Sequence, residues 1–77
     1  MRKRRDQKLA KAVGLRLYLL RDKAEITVED AALRFDVAPR TIGKFESGQI
    51  TPRIETLIDM ADFYKVSVDY ILRGEKK

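Results

Sequence analysis

The sequence predicts an all-α protein, a compact bundle of five short helices. Three observations predict it. Apolar residues recur at spacings of three and four along most of the chain, as they do on one face of a helix. Residues of the helix-capping kind (Thr27, Thr51 and Ser67) stand just ahead of the periodic stretches, with Asp36 and Gly74 closing two of them. The connections are short, and no stretch reads convincingly as a strand.

The first helix is expected from Asp6 to about Lys23. Val13, Leu17 and Leu20 form one apolar stripe, with Leu9 a turn earlier. Leu15 and Leu19, with Tyr18 beside them, form a second strip. It is either a wider buried face, covered by one of the chain termini, or a contact surface for another chain.

A second helix is expected over Thr27–Phe35. Thr27 as N-cap and Asp30 at the third helical position make a capping box, and Glu29 and Asp30 suit the positive end of the helix dipole. Ala31, Ala32 and Phe35 face inward. Asp36 accepts a left-handed conformation at lower cost than most non-glycine residues, so the helix can end there.

The third helix, Pro39–Ser47, follows a three-residue connection. Pro39 presets the backbone of the first turn and forfeits only a donor that had no partner. Ala38 is a poor N-cap, so this start is the weaker one. Ile42 and Phe45 share one face, while Arg40, Lys44 and Ser47 fall on the other. Gly43 in mid-helix costs about 1 kcal/mol relative to alanine. Either the missing side chain lets the helix approach a groove floor, or the glycine is merely tolerated.

The fourth helix is expected to use Thr51 as N-cap and Pro52 as its first residue. Ile54, Leu57, Ile58 and Ala61 would form its buried stripe, and Glu55, Asp59 and Asp62 its solvent face. The fifth begins after Ser67 and ends at Gly74, with Val68, Ile71 and Leu72 as its apolar contacts.

Seventy-seven residues make one domain, with no cysteine or histidine. We divide the chain into a basic N-terminal arm (1–8) that can continue into the first helix, a folded domain (9–74) and a tail (75–77). The net charge is +5, and residues 1–11 account for all of it; the remaining residues hold eleven basic and eleven acidic side chains. A polyanionic partner is therefore expected to meet local clusters of charge, the arm among them. No apolar run approaches a membrane span, and nothing follows the basic N-terminus that reads as a signal core. A cytoplasmic protein is expected. No spacing of acidic residues builds a metal site, and no glycine-rich phosphate loop or catalytic set is present, so no enzyme activity, metal, cofactor or small-molecule ligand is expected.

Two short helices joined by a tight turn, the second presenting cations and small hydroxyls, read as a helix-turn-helix that docks in a DNA groove. From Val13 to Gly74 the chain resembles the Cro/repressor-type, or Xre-like, helix-turn-helix family of transcription regulators. The matching residues are Val13-Gly14, Leu17 and Leu20-Arg21; Ala31-Ala32 before Val37; Ile42, Glu46 and Gly48; Pro52; and Val66 through Leu72. The resemblance implies a lambda-repressor-like fold and an ion pair between Arg21 and Glu46. It implies that Pro39, Arg40, Thr41 and Lys44 face base edges, and that Thr27, Val28, Ser47, Gln49 and Arg53 lie along the DNA backbone. The arm residues Arg2, Lys3, Arg4 and Arg5 are candidates for further phosphate contacts. Val28 stands where the family commonly has glutamine, which removes a side-chain phosphate contact. Asp36 and Lys65 stand where glycine is common. The resemblance also implies a homodimer joined around Val68 and Tyr70 on a near-palindromic duplex. The alternative is a protein-interaction module of the same fold, antitoxin-like or anti-repressor-like, with a protein partner docked on Leu15, Tyr18 and Leu19.

Overall fold

The computed structural model describes residues 4–74. Five helices follow in order: α1 (Arg4–Ala24), α2 (Val28–Phe35), α3 (Pro39–Ser47), α4 (Ile54–Tyr64) and α5 (Val68–Arg73). α1 packs against α3, α4 and α5, while α2 packs against α3 and α4. The core is Val13 and Leu17 from α1, Ala31, Ala32 and Phe35 from α2, Ile42 and Phe45 from α3, Leu57, Met60 and Ala61 from α4, and Ile71.

Local chemistry explains most of the boundaries. The Thr27 hydroxyl accepts from the Asp30 amide at 3.0 Å, and the Asp30 carboxylate accepts from the Thr27 amide at 3.2 Å, which completes the capping box. Ser67 caps α5 by accepting from the Tyr70 amide at 2.9 Å. Ala38 caps α3 without a side-chain bond, leaving Pro39 and the packing of Ile42 and Phe45 to hold that start. Asp36 and Lys65 close α2 and α4 in the left-handed conformation, at φ of 59° and 61°. Each does so as a side-chain-bearing residue, at a cost that glycine avoids.

Three expectations are corrected. α1 begins at Arg4, two residues before the expected start at Asp6; residues 1–3 lie outside the described residues. In its first turns Ala10 is the buried residue and Leu9 is exposed. α4 begins two residues late, with Arg53 as N-cap and no side-chain cap bond. Pro52 is buried, and a proline holds the residue before it extended; the Thr51–Arg53 segment carries the ring inward and gives up the Thr51 cap. The buried stripe of α4 is accordingly Leu57, Met60 and Ala61, while Ile54 and Ile58 stay at least half exposed. The second strip on α1 is open: Leu15, Tyr18 and Leu19 are 55%, 43% and 52% exposed.

Candidate nucleic-acid interface

α3 is held from behind by three close fits. Ile42 and Phe45 enter the core. Gly14 of α1 lies so near that a Cβ there would stand 2.5 Å from the Phe45 carbonyl oxygen and 2.6 Å from that of Glu46. The third is the Glu46 carboxylate, which accepts two bonds from Arg21, from Nε at 2.8 Å and from Nη2 at 3.2 Å. Arg21 also donates to the Ile26 carbonyl at 2.9 Å, so one guanidinium joins α1, the end of α3 and the turn before α2. The Glu46 carboxylate raises the Arg21 pKa, and burial opposes it. The expected ion pair is present, with both partners nearly buried.

The opposite side of α3 is open. Pro39, Arg40, Gly43, Lys44 and Ser47 are exposed and Thr41 is half-buried. Among the described residues neither Arg40 nor Lys44 has an ion-pair partner. A Cβ on Gly43 would meet nothing within 4 Å, so nothing stands over this side of the helix. Thr41 shares an open cleft with Ile50, Thr51 and Arg53, which brings Arg53 beside α3. The Arg53 guanidinium faces solvent, with Glu55 4.0 Å away.

The loop after α3 is already internally bonded. The Gly48 amide donates to the Phe45 carbonyl at 3.2 Å, and the amides of Gln49 and Ile50 donate to that of Lys44 at 2.9 and 3.3 Å. The Ser47 hydroxyl also donates to Lys44, and the Gln49 side chain donates to Ser47. What this loop turns outward is side chains, with its N–H groups committed. At the start of α2, Thr27 is exposed while Val28 is half-buried against the core. Arg2 and Lys3, and the side chains of Arg4 and Arg5, lie outside the described residues. Val68 also leans on the core, and Tyr70 is half-buried.

Arg16 and Lys11 were missed in the sequence. Arg16 donates to the Ile71 carbonyl at 3.0 Å and ties α1 to α5. Lys11 lies against Gly48, where a Cβ would stand 2.7 Å from its Cα. The only advance signal was the pair of glycines, Gly14 and Gly48, set among apolar residues.

A family model described as helix-turn-helix matches residues 17–71, most of the folded chain. The chain belongs to the helix-turn-helix family. Its five-helix architecture is the lambda-repressor-like one. Among curated proteins it is 31% identical over 61 residues to the HTH-type transcriptional regulator ImmR of Bacillus subtilis (strain 168), covering 79% of this chain and 48% of that protein. It is 37% identical over 57 residues to an uncharacterized HTH-type transcriptional regulator of the same organism, YobD, covering 74% and 51%. The chain thus spans about half the length of these relatives. Among solved structures, the P22 c2 repressor protein in complex with a synthetic operator superposes with a TM-score of 0.78 at 25% identity, over 82% of this chain and 96% of that one. The DNA-binding domain of BldD superposes with a TM-score of 0.72 at 24% identity, over 86% and 96%, a likeness of fold. No described helix is long and apolar enough to cross a membrane.

Proposed function

We propose that this chain is a sequence-specific, cytoplasmic DNA-binding transcriptional regulator, acting as a repressor and without enzymatic activity, with α3 in the major groove of double-stranded DNA. One observation carries the reading: α3 is rigidly seated through Ile42, Phe45 and Glu46, while Arg40 and Lys44 stand free on its outer face. Unpaired cations on a fixed helix are suited to base edges, and guanine O6 and N7 are their preferred acceptors. Pro39 and Thr41 flank them as apolar and hydroxyl contacts. Thr27, at the exposed start of α2, and Ser47, Gln49 and Arg53 line the edges of the same surface and meet phosphates. Val28, half-buried at the first turn of α2, meets the DNA backbone through its main-chain amide alone. The arm residues Arg2, Lys3, Arg4 and Arg5 add phosphate contacts. The chain binds as a homodimer through the α5 region around Val68 and Tyr70, so its two α3 helices meet half-sites about one helical turn apart.

Selection of bound sequences from a random duplex pool tests this. The expected product is a near-palindrome with guanine in each half-site; recovery of no preferred sequence overturns it. The exposure of Leu15, Tyr18 and Leu19 favours a second reading, a protein-docking module of the same fold. A chain that captures a protein partner through that strip and selects no DNA would establish it.

A further inference from the structure

The first turns of α1 are helical, basic and placed at the end of α3. Gly14 of α1 meets the carbonyls of Phe45 and Glu46, and Lys11, one turn earlier, meets Gly48. Moving toward its N-terminus, α1 therefore passes the end of α3, and Lys8 lies one more turn, about 4.5 Å, beyond. Ala10 is 4% exposed, which fixes the rotation of the helix at this turn. Lys8 and Lys11 are both exposed and have no ion-pair partner among the described residues. The Lys11 stem starts against Gly48, its Cγ 2.8 Å from where a Cβ on that glycine would stand.

Two other sources of anchoring are absent on this edge. The loop amides of Gly48, Gln49 and Ile50 are bonded to α3 carbonyls, and the Val28 side chain has no polar group to offer. We propose that Lys8 and Lys11 form a rigid phosphate-binding strut on α1, placed by the Lys11–Gly48 contact against the backbone of the strand that passes the end of α3. This rests on the DNA-binding reading and adds to it a site on the helix itself, beyond Arg2, Lys3, Arg4 and Arg5. Because the strut is part of a packed helix, it contributes to affinity for any duplex sequence and leaves base preference untouched.

The test is the salt dependence of binding by the full chain, followed by fluorescence anisotropy on a selected duplex and a scrambled one. From about 50 to 200 mM salt, log affinity falls with a slope of about −0.9 per phosphate neutralised. Lys11→Gln is expected to make the slope shallower by about 0.9, and Lys8→Gln with Lys11→Gln by about twice that, equally on both duplexes. Lys11→Arg is expected to keep the wild-type slope. Lys23→Gln removes the same charge from the far end of α1 and is expected to change nothing. If the double variant binds with the wild-type slope, or matches Lys23→Gln, the strut is refuted while the DNA-binding reading stands. If the wild-type chain binds no duplex, both fall together.

Discussion

Arg21 and Glu46 keep 15% and 11% of their side-chain surface, and each satisfies the other's charge. Truncating one partner leaves a desolvated charge alone, so Arg21→Ala is expected to cost about 3 kcal/mol, toward the lower end of the range for broken buried pairs. Urea unfolding measures it; a loss no larger than that of an exposed arginine such as Arg53 would contradict the pairing's structural role. Tyr64 responds to the same centre. Its burial, and next the nearby Glu46 charge, push its pKa from 10.0 up to about 12. Between those values the unfolded chain releases a proton that the folded chain keeps. This contribution to stability is therefore complete below about pH 10 and is lost as pH rises toward 12. Tyr64→Phe should lose less stability than the wild type between about pH 10 and 12 in paired unfolding curves; parallel losses would contradict it. At this scale the sequence was partly legible. The Arg21–Glu46 pair came from the family resemblance, whereas the bond from Arg16 to Ile71 joins positions 55 apart and leaves no local trace.

The helices were most legible where their ends are governed by neighbouring residues. Thr27 with Asp30, and Ser67 with Tyr70, are contacts within one turn, and the structure has both. α4 was misplaced because Thr51-Pro52 is a good local start that a distant interaction overrides, namely the burial of Pro52. The buried face of α4 is Leu57, Met60 and Ala61, with Ile54 and Ile58 turned outward. α3 is the converse case. Its start is locally poor, and packing behind it makes up the difference. Gly43 then separates the demands of folding from those of binding. With nothing within 4 Å of its missing Cβ, Gly43→Ala should stabilise the fold by about 1 kcal/mol. A methyl group on the side facing the groove should at the same time weaken binding to duplex DNA. Denaturation and affinity measured on the same variant decide the point: greater stability with undiminished affinity would show that the glycine is only tolerated.

For the whole molecule, the division of charge proved more informative than its total. The excess lies within residues 1–11, and the structure carries α1 through most of them and past the end of α3 at Gly48. The five-helix architecture was legible because spacing, caps and short loops all pointed one way. The orientation of the basic segment was not, because it depends on Gly14 and Gly48 letting two helices meet. Everything proposed for this surface follows from α3 acting as the reader. The most direct measurement is site selection repeated with Arg40→Ala and Lys44→Ala beside the wild type. Each variant should lose guanine preference at its own position in both half-sites, a discrimination of ~1–3 kcal/mol, and keep the rest of the sequence. If both variants select the wild-type sequence with undiminished preference, α3 does not read the bases.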